Sequence, residues 1–274
     1  AFLRAGHGLE RGDFATAVQK ATDYLLRTVE ASKEEGPQIT EQRGTQPQAK
    51  MGQNVDTALT AQFLSRLLKE RGLAPAMQPR VTAALDKCLR KIENSQGQDG
   101  SWAAGGWAPV LQSAQMSTAL ELGEAAGRPI DKEKLAQARE YQRAQVKVVS
   151  GGRLTSASGA DVDSSGFAPV ADAAAGVALY AAAANQRGVA TVAKVAEDLI
   201  ETGKREGKLP ADARVEQDTL VRLGVSAEQA QGMAQSFTMN VAAKSRAFDE
   251  NLLQGFGNNG GEEFLSYQMT SESL

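Results

Sequence analysis

The sequence predicts an all-α protein built from repeated helical hairpins. Three observations carry this: apolar residues recur at helical spacing along most of the chain, alternating β-branched runs are nearly absent, and one helical segment occurs twice at a fixed interval. The chain has 274 residues, 42% of them hydrophobic but only 5% aromatic. A chain this long buries roughly 70–75% of its unfolded surface, enough for a sizeable core.

The first helix is expected from about Asp13 to Ala31, with Asp13 as N-cap and an apolar stripe of Phe14, Val18, Ala21, Leu25, Leu26 and Val29. A polar, Gln-rich stretch from Lys33 to Gln53 follows. That is long for a connection in a compact domain, and it reads as an ordered or functional surface loop. The second helix, about Asn54 to Arg71, is expected to bury Val55, Leu59, Phe63, Leu64, Leu67 and Leu68 and to stop at Gly72. The third, about Pro79 to Asn94, turns Val81, Leu85, Cys88, Leu89 and Ile92 inward. A fourth covers about Val110 to Ala126. A fifth covers about Asp131 to Val146, with Pro129, Asp131 and Glu133 as its start signal. The Gly/Ser-rich stretch 150–167 is the expected flexible hinge. Further helices are expected at about 168–186, 188–204, 212–223, 226–236 and 237–251, with a last one from Glu262.

The repeat lies at an interval of 63 residues. Val18, Ala21, Asp23, Leu26, Arg27, Glu30 and Ser32 overlay Val81, Ala84, Asp86, Leu89, Arg90, Glu93 and Ser95, seven identities in fifteen positions. Each copy runs into a polar loop, KEEGPQI after the first and QGQDGSW after the second; AKVAEDLIETGKREGKLP is a degraded third copy. The unit between copies holds two helices. Such a pair cannot bury its apolar side alone, so successive pairs must stack into a ring or arc.

Net charge is −3 and the pI about 5.5, with both signs interspersed. No basic field exists to draw nucleic acid, and no nucleic-acid partner is expected. No apolar run of about 18 residues occurs, so no integral membrane segment is expected. Cys88 is the lone cysteine, which rules out an internal disulfide. The chain opens on Ala1 in what reads as a helix under way and ends inside a helical pattern. We therefore expect one domain over residues 1–274, taken from a longer chain.

The second copy ends in Gln96-Gly97-Gln98-Asp99-Gly100-Ser101-Trp102. The glycine permits a left-handed turn after the helix, and the Gln and Trp side chains can brace that turn. This heptad matches the Q-x-x-D-G-x-W signature of the prenyltransferase/squalene-oxidase repeat family, the terpene cyclase-like α/α toroids. AVQKATDYLLRTVEAS resembles that family's outer helices and GGWAPVLQSAQMSTALELGEAAG its inner ones. GFGNNGGEEFLSYQMTSESL resembles a segment of bacterial members of unknown function. The resemblance implies an α/α toroid or partial toroid in which Gln96, Asp99, Gly100 and Trp102 fasten one hairpin to the next. It also implies a place in the cell envelope or outside the cell.

The chemistry of the family is poorly represented. Class II terpene cyclases use Asp-x-Asp-Asp, in which an acid held neutral by its surroundings protonates an alkene. Asp161-Val162-Asp163-Ser164 resembles it without the last acid, so Asp163, with Asp161, is the weak catalytic candidate; Gln53-Asn54-Val55-Asp56 keeps only the final acid. Such acids serve more commonly in caps and turns. Protein prenyltransferases hold zinc through Asp, Cys and His. Asp86 and Cys88 have Asp-x-Cys spacing, but on a helix they face different ways, and His7 is the single histidine. No metal and no cofactor is expected, and the sequence lacks a nucleophile elbow and a phosphate loop. Trp102, Trp107 and Phe167 are candidates for lining a cavity that takes an apolar or sugar ligand. The functional expectation is a non-catalytic binding or scaffold module that recognises a protein, a peptide or a glycan. The alternative is an isoprenoid cyclase or transferase using Asp163.

Overall fold

The computed structural model describes residues 2–3, 5–70, 73–102, 109–144, 146–149, 153–156 and 177–246. The fold is all-α. Its helices are α1 (Ala15–Ala31), α2 (Gln46–Met51), α3 (Val55–Leu68), α4 (Gln78–Asn94), α5 (Pro109–Ala125), α6 (Lys132–Ala144), α7 (Val177–Arg205), α8 (Gln217–Arg222) and α9 (Ala227–Arg246). One short antiparallel hairpin interrupts them, β1 (Val146–Val149) on β2 (Arg153–Ser156), with Val146 opposite Ser156. The chain groups into two compact units, Ala1–Tyr141 and Gln142–Leu274, where the sequence reading drew one domain.

In the first unit the sequence repeat is also a structural one. Both bounds of α4 lie 63 residues beyond those of α1 (Ala15 to Gln78, Ala31 to Asn94). Helices α1 and α4 are amphipathic and pack against each other. Each buries one stripe: Val18, Thr22, Leu26 and Val29 in α1, and Val81, Leu85, Cys88, Leu89 and Ile92 in α4. Helices α3 and α5 pack together and are enclosed far more completely. Every residue from Leu111 to Leu120 is buried. Enclosure on all sides brings polar residues inside, and those must find partners. Gln62 donates from Nε2 to the Gln115 carbonyl (3.0 Å) and to its Oε1 (2.8 Å), tying α3 to α5.

Equivalent carboxylates on α1 and α4 each hold an arginine that follows later in the chain. Asp23 accepts from Arg80 Nη1 (2.9 Å), and its repeat partner Asp86 takes both arms of the Arg128 guanidinium (2.7 Å each) just before α6. Glu30 binds Arg80, and Glu93 accepts from the Asp131 backbone N–H (2.8 Å). Asp131 in turn caps α6, accepting from the Glu133 and Lys134 backbone N–H groups.

Several sequence expectations need correction. Asp13 does not cap α1; Phe14 occupies that position without a side-chain bond, and Ala15 N–H is taken by the Gly12 carbonyl. Phe14 and Ala21 are exposed, because the stripe facing α4 is the narrower one through Val18, Thr22, Leu26 and Val29. The fifth helix ends at Ala144, and Val146 begins a strand. In the second unit α7 runs unbroken through Gly188, where two helices were expected; an interior glycine weakens a helix by about 1 kcal/mol without ending it. Helix α9 likewise runs through Phe237, since neither proline nor a cap separates the expected pair. The second unit packs α7 against α9 and α8 around Ala196, Ile200, Leu209, Leu220 and Ala230. Gly203 makes room for Leu223 and Leu209, whose side chains lie 2.8 and 3.0 Å from where its Cβ would stand.

Candidate functional site

The loop after α4 holds the residues singled out by the repeat signature. Gln96 Nε2 donates to the Gly100 carbonyl (3.1 Å) and to the Lys134 carbonyl on α6 (2.9 Å). Asp99 Oδ1 accepts from the Ser101 N–H (3.1 Å) and hydroxyl (2.8 Å), and these donors hold its carboxyl below the usual carboxylate range. Gly100 adopts φ +82°, and a Cβ there would stand 2.3 Å from the Gln137 carbonyl oxygen. Both facts require glycine: the backbone is left-handed, and α6 passes directly over it. Trp102 is 2% exposed in the core; its Nε1–H donates to the Ile92 carbonyl (2.9 Å), and its backbone N–H to Ser113 Oγ (2.9 Å). The indole is thus fully packed with its polar handle satisfied. Trp107, Phe167, Asp161 and Asp163 lie outside the described residues.

The loop after α1 is built differently. Its position equivalent to Trp102, 63 residues earlier, is Ile39, buried at 4%. Its carbonyls are held by lysines from α4: Lys87 Nζ reaches Ser32 O (2.5 Å), and Lys91 Nζ reaches Gly36 O (3.0 Å) and Glu35 O (3.4 Å). Lys91 is buried, and desolvation, then the nearby Lys87 charge, lowers its pKa. Beyond Ile39 the chain turns into α2, a helix the sequence reading placed inside a loop. Thr45 and Gln48 form a reciprocal capping box at its start. Gln48 is 2% exposed. Its Oε1 accepts from Thr45 N–H, and its Nε2 donates to the Gln42 carbonyl (2.9 Å) and to Asp56 Oδ2 (3.0 Å). One buried carboxamide therefore joins the loop, α2 and the first turn of α3.

These elements enclose a cleft of about 320 Å³ between α1, the 39–48 segment and α3. Tyr24, Leu25 and Thr28 line it from α1, and Asp56, Leu59 and Thr60 from α3. Ile39, Thr40, Gln42, Thr45 and Gln48 complete it. Tyr24 is 64% exposed and Leu59 38%. Leu59 was expected in the core; α3 instead turns Ala58, Ala61, Gln62 and Ser65 inward and leaves Leu59 on the cleft wall. No Lys, Arg or His lines the cleft, and Asp56 is its one charged residue. Trp102 is not among its lining residues.

The residues weighed as zinc ligands are not brought together. Both oxygens of Asp86 are engaged by Arg128, while Cys88 is fully buried and its thiol is pushed up to about 12 by desolvation. His7 packs edge-on to Phe14 (4.9 Å). Among the described residues no three of His, Cys, Asp and Glu gather closely enough to hold a metal, and no helix is long and apolar enough to cross a membrane.

Sequence reasoning flagged the 33–53 stretch, and Asp56 as a partial acid motif, but missed Tyr24, Ile39, Gln42, Gln48 and Leu59. The signals were the T-x-x-Q capping box at Thr45 and the 63-residue offset that maps Ile39 onto Trp102. Comparison with protein-family models, curated proteins and solved structures finds no match to this chain.

Proposed function

We propose that the chain is a non-catalytic binding module, built on a ring or arc of helical hairpins of the prenyltransferase/squalene-cyclase type, and that it takes its ligand in the cleft between α1, α2 and α3. The paired rows α1–α4 and α3–α5 support the hairpin stacking. The observation that carries the binding reading is the lining of the cleft. It combines exposed apolar surface from Tyr24 and Leu59 with hydroxyl and carboxamide groups around a single carboxylate. Concave sites with apolar walls and a few fixed polar groups are where ligands bind.

The lining argues against prenyl-diphosphate chemistry at this site. A diphosphate needs cations or a metal to offset its charge, and carbocations need several aromatic faces. The cleft has one aromatic residue and no cation.

The test is a thermal-shift and ligand-detected NMR screen of the purified chain against neutral oligosaccharides, short peptides and prenyl diphosphates. Binding from one of the first two groups, lost in Leu59→Asp with the helical circular dichroism spectrum retained, is the expected result. Turnover of a linear isoprenoid that disappears in Asp163→Asn would overturn the reading in favour of a cyclase.

A further inference from the structure

We propose that the cleft recognises a neutral saccharide, with Tyr24 as the apolar platform and Asp56, Gln42 and Thr60 as the hydroxyl-reading groups. This rests on the cleft being the binding site.

Consider charge first. No cationic side chain is among those lining the cleft, and the nearby Arg43 guanidinium is engaged by the Thr40 and Gln42 carbonyls, so an anionic ligand would find no free counter-charge within it. The single carboxylate is held in place by neutral groups. Asp56 is in the first turn of α3, where the helix dipole favours negative charge, and Gln48 Nε2 donates to its Oδ2 at 3.0 Å. These contacts position the carboxylate without cancelling its charge, so a basic side chain is the competing ligand that the cationic probes below test. Asp56 Oδ1, which has no hydrogen-bond partner among the described residues, remains a strong acceptor for a neutral donor such as a hydroxyl.

Fit comes next. Tyr24 offers a rigid ring with a polar tip and makes no ring contact among the described residues. An exposed ring of this kind suits the C–H face of a pyranose, which is apolar while its edge carries hydroxyls. The edge would meet groups of both polarities: the Gln42 carboxamide donates and accepts, Thr60 Oγ1 does both, and Asp56 Oδ1 accepts. Gln42 and Thr60 use no side-chain atom in a hydrogen bond with another described residue. A wholly apolar ligand would strand these groups, Thr60 most severely, since it is 4% exposed.

Preorganisation is the third point. Gln48 spends every polar atom of its side chain on the cleft's own frame, fixing the Gln42 backbone and the Asp56 carboxylate together. Groups positioned before the ligand arrives lose less entropy on binding, which matters for a ligand as heavily hydrated as a sugar. The volume, about 320 Å³, suits a short saccharide and lies at the small end of the usual range of roughly 300–1,000 Å³.

The experiment is isothermal titration calorimetry on the intact chain. The probes are maltotriose, cellotriose and tri-N-acetylchitotriose on one side, and N-acetyl-lysine amide and N-acetyl-arginine amide on the other, each at about 50 and about 300 mM NaCl. We expect at least one trisaccharide to bind, with affinity unchanged within about twofold by salt. Tyr24→Ala should weaken it by at least about tenfold, Asp56→Ala by about fivefold or more, and Tyr24→Phe by less than Tyr24→Ala. Failure of all three trisaccharides at millimolar concentration overturns the saccharide proposal. If a cationic probe binds instead, with salt-sensitive affinity lost in Asp56→Asn, the cleft remains the binding site and its ligand is a basic side chain. If no probe of either kind binds, the cleft reading falls as well.

Discussion

The loops after α1 and after α4 occupy equivalent places in the repeat and differ in what closes them. After α4, closure is tight: Gln96 and Gly100 lie against the α6 backbone, Lys134 of α6 holds the Glu93 carbonyl, and Trp102 fills the space behind them. After α1, closure depends on two lysines reaching over from α4, and the smaller Ile39 takes the place of the indole. The helices before the two loops end alike. Ser32 and Ser95 each donate a hydroxyl hydrogen bond to the carbonyl three residues back, Val29 and Ile92 respectively. The divergence therefore begins only after the common cap. The second loop spends Gln96, Gly100 and Trp102 on fastening. The first lengthens and adds α2, and the cleft lined by Tyr24 and Asp56 appears there.

The largest expected effect is on the fastening side. Trp102→Ala should destabilise the first unit by about 3–5 kcal/mol, the range for large-to-small aromatic changes in a core, measured by denaturant unfolding followed by circular dichroism. An unchanged midpoint would mean the two loops do not differ in the way described. Ile39→Ala, at the equivalent position, should cost about 2–4 kcal/mol, since an aliphatic truncation removes less surface. Gly100→Ala should cost about 1–3 kcal/mol or more, because φ +82° disfavours a side chain and the Gln137 carbonyl blocks its Cβ. Gly36→Ala in the first loop, also left-handed at φ +79° but one position off the equivalent of Gly100, should cost less, since the nearest atom to its Cβ is a side-chain oxygen at 3.8 Å.

Acid sharpens the same comparison. The Asp99 carboxyl is held below its usual range by Ser101, so its folded pKa lies under the unfolded value of about 3.9. Its contribution is therefore present above that value and lost as pH falls through the folded pKa. The stability difference between the wild-type chain and Asp99→Ala should be constant near neutrality and shrink below about pH 4. A difference that grows on acidification would contradict the assignment. The smallest effect is expected at the cleft: Tyr24→Ala, exposed and unpacked, should change stability by no more than about 0.5 kcal/mol.

The outer helices were legible because their pattern is simple. One amphipathic stripe, repeated at 63 residues, marks α1 and α4, and every inward position named for α4 is buried. The enclosed helices were harder. A helix buried on most sides has little polar face to set its phase, so Leu59 reads as core in the sequence, while packing leaves it 38% exposed. Helix α2 was hidden by composition: six residues of QPQAKM carry no apolar stripe, and the capping box of Thr45 and Gln48 was its one signal. In the second unit, breaks were expected where the apolar pattern weakened, at Gly188 and near Phe237. Packing of α7 against α9 keeps both helices continuous. The cleft itself joins residues 24, 39–48 and 59, and that juxtaposition belongs to tertiary packing rather than to any local pattern.

The proposed function divides labour between two equivalent loops, one fastening and one binding. Backbone amide shift mapping of the isotope-labelled chain tests it most directly, with maltotriose and N-acetyl-lysine amide titrated separately as probes. The account predicts shifts confined to Tyr24–Thr28, Ile39–Gln48 and Asp56–Thr60, with Gln96–Trp102 unmoved. Shifts centred on Gln96–Trp102 from either probe would contradict it, as would the absence of shifts from these two, cellotriose, tri-N-acetylchitotriose and N-acetyl-arginine amide alike.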